Sequence, residues 1–244
     1  MSDTLKSIWF AALTALISSL LLTGASSGLK EYRLNNIRVD NQKNLLKSVV
    51  LVQAGGRYSG EEIEQLYQKN IRSYWADTSG FISPETATAG KGQPLFLYVQ
   101  NNAVRSYILP VQSRGLWGKI EGYLALENDG LTVAGFTVFS HGETPGLGGE
   151  IETAWFQNNF RGKKIVDPDG RFVSIGIAKG RVADRVPPGS QANFVDGISG
   201  ATLTGRFLSE GLRDTLMVYE SVSVNFRNNK INLNMASAGK TGSP

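Results

Sequence analysis

The chain has 244 residues, of which 41% are hydrophobic, with no cysteine, one histidine and a formal net charge of +4. That length allows one domain of ordinary size with a hydrophobic core, plus smaller appendages. The lack of cysteine excludes thiolate-held iron–sulfur clusters, cysteine-ligated zinc sites and disulfides, and a single histidine argues against a multi-histidine metal centre. Redox chemistry in this chain would therefore need an organic cofactor. The lysines and arginines form no long basic run, so no nucleic-acid partner is expected.

An apolar stretch without charged residues occupies residues 7–29. As a helix it would be roughly 34 Å long, enough to cross a bilayer whose hydrocarbon core is about 30 Å thick. The alternative is a secretory signal peptide cleaved at the small residues 24–26. The stretch is long for a signal peptide, and Asp3 offsets Lys6 in the segment before it. We therefore expect a retained single-pass membrane anchor.

The segment after the anchor is predicted to be mainly helical. Apolar residues at helical spacing indicate a connector helix within residues 34–52. Ser59 and Glu62 form a capping-box pattern before a short helix with one apolar face. Residues 78–92 are rich in Ser, Thr, Gly and Ala, and this composition predicts a loop.

The central part of the chain is predicted to form three antiparallel hairpins. Their strand pairs are residues 95–100 with 103–111, 119–127 with 131–139, and 163–166 with 171–178. A helix is predicted between the second and third hairpins, over residues 150–160. A last helix over residues 202–219 would turn six apolar side chains inward: Leu203, Phe207, Leu208, Leu212, Leu216 and Tyr219.

The order of these elements predicts an α+β fold, a single N-terminal transmembrane helix followed by an antiparallel-sheet domain. We expect a membrane anchor in residues 1–30, a helical connector and the N-terminal part of the soluble domain in 31–92, and the main domain in 93–226. Residues 227–244 are rich in Asn, Ser and Gly, so they have little apolar surface to bury. They are predicted to be a disordered tail.

The first segment with candidate chemistry is residues 141–150, with the sequence HGETPGLGGE. Four glycines and a proline after a predicted strand make a loop whose backbone can approach a flat ligand closely. Glu143 and Thr144 offer polar groups, and Leu147 offers an apolar surface. The alternative is an ordinary surface turn. His141 by itself is best interpreted as a hydrogen-bonded structural residue.

The second segment is residues 196–204, with the sequence DGISGATLT, just before the last predicted helix. Thr202 then lies at or near the helix N-terminus, where unpaired N–H groups and the helix dipole favour a phosphate. A threonine hydroxyl at that position can hold a phosphate or be esterified to one. The alternative is ordinary helix capping by Ser199 or Thr202.

The sequence SGAT at residues 199–202 resembles the flavinylation motif of the FMN-binding domain family, and residues 141–150 resemble the partner loop of that family. The resemblance implies that residues 93–226 are an FMN-binding domain. It also implies that a flavin transferase attaches FMN covalently, as a phosphoester, to Thr202. No metal ion and no catalytic acid or base is implied.

The resemblance assigns further roles to individual residues. Ser199, Gly200 and Ala201 would shape the turn around the phosphate. Glu143, Thr144 and Leu147 would line the isoalloxazine ring. Leu116, Trp117 and Lys179 would lie beside the flavin.

Other parts of the chain resemble the NqrC family, which belongs to the Na+-translocating NADH:quinone oxidoreductases. They are the N-terminal anchor and residues 40–46, 109–110, 115–117, 122–126, 160–164 and 178–180. This implies an electron-transfer protein whose partners are the other membrane and soluble subunits of the complex. No Gly-x-Gly-x-x-Gly fingerprint indicates that NADH binds to this chain. Two alternatives remain open, a flavoprotein of the related type found in the Rnf complex and a flavin-free membrane-tethered binding or assembly domain.

The orientation in the membrane is predicted differently by charge and by resemblance. Five basic residues follow the anchor and one precedes it, so the positive-inside rule places the domain in the cytoplasm. The resemblance implies flavinylation on the outer face of the bacterial inner (cytoplasmic) membrane. Because charge bias counts less for a long domain, we expect the soluble domain to be periplasmic.

Overall fold

The computed structural model describes residues 2–53, 55–84 and 92–231. By its internal contacts the chain divides into two compact units, one ending at Asn41 and the other beginning at Gln42. The predicted tail falls largely on residues 232–244, which lie outside the described residues. The four-segment division of the chain stays a prediction.

The N-terminal unit is helical. Helix α1 (Asp3–Gly28) has 26 residues, all of them exposed. Its length is roughly 39 Å at the rise of an α-helix, and its length and composition suffice to cross a membrane. This fits a single-pass anchor. Helix α2 (Lys30–Ser48) follows and confirms the predicted connector helix.

In the second unit, the end of α2 packs against the sheet. Leu45 and Leu46 are buried, and the Thr137 hydroxyl donates to the carbonyl of Asn44 over 3.3 Å. A Cβ at Gly135 would lie 2.3 Å from the carbonyl oxygen of Ser48, so the last turn of α2 needs a glycine on the facing strand. The end of the helix is thus fixed against the sheet.

Helix α3 (Gly60–Asn70) begins with the predicted capping box. The Ser59 hydroxyl accepts from the amide of Glu62 over 3.2 Å, and the Glu62 carboxylate accepts from the amide of Ser59 over 2.7 Å. These reciprocal bonds satisfy two amides that a helix leaves without internal acceptors. The capping prediction is confirmed.

One antiparallel sheet of six strands forms the centre of the domain, in the order β2-β1-β3-β4-β5-β6. Its strands are β1 (Ile71–Ala76), β2 (Ile82–Ser83), β3 (Gln93–Gln100), β4 (Ala103–Arg114), β5 (Lys119–Glu127) and β6 (Val133–Ser140). The turn between β3 and β4 places Asn101 and Asn102 at φ of 53° and 58°, as a tight two-residue hairpin requires. The first two predicted hairpins and the α+β class are confirmed.

The region after β6 departs from the predictions. Residues 150–160 form two short helices, a 3₁₀ turn (Gly148–Glu152) and α4 (Ala154–Asn158), because the extended backbone of Thr153 separates them. The predicted third hairpin is wrong. Its turn exists, with one bridge between Val166 and Phe172 and two bonds to the carbonyl of Ile165, but no strand ladder forms. Strand β7 (Gly176–Ile177) instead runs parallel to β8 (Phe194–Val195). Helix α5 (Val182–Arg185) and a second 3₁₀ turn (Pro188–Asn193) join β7 to β8.

Two helices cover one face of the sheet. In α6 (Thr202–Val218), Leu208, Leu212 and Leu216 are fully buried, whereas Leu203 is 47% exposed, so the prediction that it faces inward is wrong. Helix α7 (Glu220–Arg227), which the sequence pattern did not predict, stacks Phe226 on Tyr107 with ring centroids 4.3 Å apart. The start of α6 is therefore held against the sheet while its first residues stay accessible.

Candidate functional site

Thr202 is the first residue of α6. The residue before it, Ala201, has no polar side chain, and among the described residues neither Ser199 nor Thr202 forms a side-chain hydrogen bond, so the structure contradicts the alternative of ordinary capping by either residue. Thr202 is exposed, and within the described ranges its hydroxyl has no hydrogen-bond partner. The hydroxyl is thus available for chemistry at a helix start, where amides without internal acceptors favour anions.

The turn before Thr202 depends on Gly200. Its φ of +77° is in the left-handed region, and the amide of Ala201 donates to the carbonyl of Ile198 over 3.1 Å to close the turn. A Cβ at Gly200 would lie 2.8 Å from Cδ2 of Leu147. The glycine therefore permits both the turn and the close packing of the 141–150 loop against it.

Glu143 joins three segments of the site. One carboxylate oxygen accepts from the Thr204 hydroxyl over 2.5 Å, and the other accepts from the amide of Trp117 over 3.0 Å. Glu143 is 5% exposed and Thr204 is 2% exposed. The 141–150 loop, the turn between β4 and β5 and the start of α6 are thus connected through one buried carboxylate.

Two glycines leave the space that this carboxylate occupies. A Cβ at Gly115 would lie 2.5 Å from one Glu143 oxygen, and a Cβ at Gly148 would lie 2.6 Å from the other. The Gly148 Cβ would also come within 2.6 Å of the Thr204 hydroxyl. The glycine-rich composition of the loop therefore serves close packing around Glu143.

Leu116 and Trp117 are presented at the surface beside this junction. Both line an open hollow of about 530 Å³ formed by residues 112–119. The Trp117 side chain is 72% exposed while its amide is held by Glu143. Leu147 and Leu203 are also nearly half exposed, so four large apolar side chains are accessible near the start of α6 and its partner segments.

Lys179 lies on a different hollow of about 260 Å³, which Thr202 also lines. The segment that carries it packs on the motif, because a Cβ at Gly197 would lie 1.9 Å from the carbonyl of Ala178. The Gly197 amide also donates to the carbonyl of Gly180 over 2.8 Å. Backbone packing therefore places Lys179 and Thr202 on one hollow.

Two further loop residues have defined places. The Nδ1 atom of His141 accepts from the amide of Glu143 over 3.1 Å, and its Nε2 lies 3.2 Å from a carboxylate oxygen of Glu152. His141 is thus a hydrogen-bonded structural residue, as its sequence context indicated. The carbonyl of Thr144 accepts from the amides of Leu147 and Gly149, and the residue itself is exposed.

The structure brings most of the predicted site residues together, and it adds two residues that were not predicted. Glu143 uses both oxygens on protein donors, so its assignment to the ring stays a prediction. Thr204 and Arg206 were not among the predicted residues. Arg206 lines the hollow of Thr202 and Lys179, and its position four residues after Thr202, on the same helix face, was a signal that could have identified it.

These features fit a flavin mononucleotide. The free hydroxyl and first-turn amides at Thr202 suit its phosphate, and Lys179 supplies a positive charge beside them. The exposed apolar side chains Leu116, Trp117 and Leu147 suit a flat aromatic ring. The donor set and the accessible surfaces therefore match the two ends of this nucleotide.

Comparisons with known proteins agree with this assignment. The model of the FMN-binding domain family matches residues 115–217. The NqrC protein of the Na(+)-translocating NADH-quinone reductase from Yersinia pestis is 32% identical over 229 residues, which are 82% of this chain and 83% of that protein. The corresponding protein from Pseudomonas aeruginosa is 31% identical over 235 residues, covering 84% of this chain and 88% of its own length.

Solved structures show the same architecture. The NqrC protein of the Na(+)-translocating NADH-quinone reductase from Parabacteroides distasonis superposes with a TM-score of 0.67 at 28% identity, covering 80% of this chain and 96% of that one. Shewanella oneidensis NqrC superposes with a TM-score of 0.61 at 23% identity over 79% of this chain and 96% of its own, which shows the shared fold. The chain therefore belongs to the NqrC family of the Na+-translocating NADH-quinone reductases.

Proposed function

We propose that this chain is a flavin-binding electron-transfer component of a membrane-bound Na+-translocating NADH:quinone oxidoreductase, with FMN in phosphoester linkage at Thr202. The observation that carries the covalent linkage is the exposed Thr202 hydroxyl, without a partner among the described residues, at the start of α6. Its partners are the other subunits of the complex and a flavin transferase. The family membership supports the flavin and the complex.

In the proposed attachment step, the flavin transferase uses an activated donor such as a flavin dinucleotide. The Thr202 oxygen forms a bond to the flavin-proximal phosphorus while the pyrophosphate bond breaks. The adenine mononucleotide leaves and the hydroxyl proton is released. The phosphoester retains one negative charge, which the helix start and Lys179 stabilise.

In its bound form the flavin would mediate between one-electron and two-electron carriers, chemistry that belongs to the cofactor. The chain supplies retention at Thr202, an apolar surface at Leu147 and Trp117, and a rigid junction at Glu143. Covalent attachment prevents loss of the cofactor during turnover. The two alternatives, a flavoprotein of the Rnf complex and a flavin-free assembly domain, are not supported by these relatives, which are NqrC proteins.

We further propose that α1 anchors the chain in the bacterial inner membrane with the soluble domain in the periplasm. The support for this orientation is the proposed modification of Thr202 by a flavin transferase on the outer face. The basic residues after α1 oppose it. Reporter proteins fused beyond α7 distinguish a periplasmic from a cytoplasmic domain, because some reporters are active only outside the cytoplasm and others only inside it.

The linkage is tested by intact mass of the full chain produced with and without a flavin transferase. We expect a mass increase of one FMN, located on the proteolytic peptide that contains Thr202, and a fluorescent band in a denaturing gel. Thr202→Ala removes the acceptor hydroxyl and should abolish both signals. Thr215→Ala removes a threonine from the same helix outside the motif and should retain one FMN. An unmodified wild-type peptide in the presence of the transferase would contradict the proposal.

A further inference from the structure

We propose that Arg206 acts together with Lys179 as a phosphate-binding pair for the FMN phosphoester. The inference rests on the proposed attachment at Thr202 and adds a residue that the motif itself does not include. Arg206, Lys179 and Thr202 line the same hollow of about 260 Å³. Two cationic side chains therefore share a hollow with the acceptor residue, one from α6 and one from the segment after β7.

Arg206 lies on the same helix face as Thr202, although in this structure its guanidinium extends toward Glu210 and lies over the ring of Phe207. Residues four positions apart lie on the same face about 6 Å apart along the axis, and helical side chains lean toward the N-terminus. Gly205, next to Arg206, has no side chain to fill the hollow, and a Cβ there would lie 3.1 Å from Cγ2 of Ile177. A change of rotamer toward the helix N-terminus would bring the guanidinium into the hollow that Thr202 lines.

The charges that line the hollow favour one anion. Lys179 and Arg206 are positive and Glu210 is negative, so the lining carries an excess of one positive charge. A phosphodiester carries one negative charge, and its addition neutralises the hollow. Lys179 has no ion-pair partner in the described part of the chain, and this leaves its ammonium group available.

The present partners of Arg206, which are Glu210 and the ring of Phe207, do not prevent this role. Arg206 Nε lies 3.0 Å from a carboxylate oxygen of Glu210, with the side chains 64% and 57% exposed. Such exposed pairs contribute little to stability and exchange readily with other partners. A guanidinium–phosphate contact is charge-assisted and can use two parallel hydrogen bonds, so it competes well with this pair.

The test measures flavin transfer to the full chain in detergent micelles, with purified flavin transferase and a flavin dinucleotide as donor. At donor concentrations below saturation, we expect Arg206→Gln to lower the initial rate about 3- to 10-fold, because the donor phosphates lose a charged contact. Arg206→Lys keeps the charge and should recover part of the rate. Glu210→Gln releases Arg206 from its pair and should increase the rate.

The matched control is Arg213→Gln. This arginine is also exposed on α6, but it lines another hollow, which does not include Thr202, so its rate should stay within about twofold of wild type. A second readout is the ³¹P resonance of the finished phosphoester, which Arg206→Gln should shift and Arg213→Gln should not. Because contact with the transferase alone would lower the rate without moving this resonance, that outcome overturns the proposal.

Equal rates for Arg206→Gln and Arg213→Gln also overturn it. A wild-type chain that accepts no FMN contradicts the proposed attachment at Thr202 first, so the two failures are distinguishable.

Discussion

Glu143 shows how one side chain organises this site. It is buried, and its two oxygens accept from the Thr204 hydroxyl and the Trp117 amide. Buried carboxylates are costly unless hydrogen bonds replace their hydration, and here both oxygens are supplied. Glu143 therefore acts as a positioning residue for the loop, the β4–β5 turn and the start of α6.

Two substitutions of Glu143 distinguish the contribution of its hydrogen bonds to stability from the contribution of its negative charge. Glu143→Leu leaves the Trp117 amide and the Thr204 hydroxyl without their acceptor, so we expect a loss of about 2–4 kcal/mol in the free energy of unfolding. Glu143→Gln keeps one acceptor and gains a donor that Thr204 can accept from, so its loss should be about 1 kcal/mol. Urea unfolding of the chain measures both. Equal losses for the two variants would mean that the hydrogen bonds do not hold this junction.

Much of the site could be predicted from the residues around Thr202 and residues 141–150. These segments have unusual composition and a recognisable order, so local sequence was informative. The bond between Glu143 and Thr204 could not be predicted, because it joins residues 61 positions apart and depends on how α6 lies on the sheet. Leu203 was placed on the wrong face because helical periodicity does not reveal which apolar residue a site leaves exposed.

Among the elements, the segment from β7 to β8 determines where Lys179 lies. Gly197 packs against the carbonyl of Ala178, and Asp196 accepts from the amide of Val182 over 2.6 Å. These contacts hold the strand before Lys179 against the segment that leads into the SGAT turn. We call the contact between Gly197 and Ala178 the crossing of these two segments. A structural change at this crossing would displace Lys179 and Thr202, which line the same hollow.

Gly197→Ala tests this crossing directly. Its Cβ would meet the Ala178 carbonyl at 1.9 Å, and both groups belong to the backbone, so relief requires the segments to separate. We expect a loss of about 2–4 kcal/mol in the free energy of unfolding. Gly189→Ala is the control, because no atom lies within 4 Å of its Cβ and its effect should stay within about 0.5 kcal/mol. If the Gly197→Ala chain has the same free energy of unfolding as the Gly189→Ala chain, the two segments are not closely packed at this crossing.

Elements that depend on local interactions were predicted correctly, and elements that depend on contacts between residues far apart in the chain were not. The hairpin at Asn101-Asn102 and the capping box at Ser59 are local, and sequence pattern sufficed for both. The third hairpin failed because the side chain of Asn193 donates to the carbonyls of Lys164 and Val166. Those carbonyls were assumed to serve a strand ladder, and a residue far along the chain uses them instead.

At the scale of the whole molecule, the orientation of the domain decides on which side of the membrane the proposed attachment at Thr202 could occur. Alkaline phosphatase fused after Lys230, beyond α7, should be active in intact cells if the domain is periplasmic. A fluorescent protein that folds only in the cytoplasm should be dark at the same site and bright when fused before α1. The reverse pattern would support the positive-inside rule for this chain and would contradict attachment on the outer face.

The order of the elements along the chain has a consequence for the timing of modification. All six strands of the large sheet precede α6 and α7, the helices that bury Leu208 and Tyr107. During synthesis the ribosome releases the strands first, so this face of the sheet stays uncovered until both helices have emerged. The packing of Leu147 against Gly200 and the bond between Thr204 and Glu143 can form only after α6 has emerged. If the domain is periplasmic and Thr202 is modified, as proposed, we therefore expect the flavin to be added after α6 has docked and not to the emerging strands.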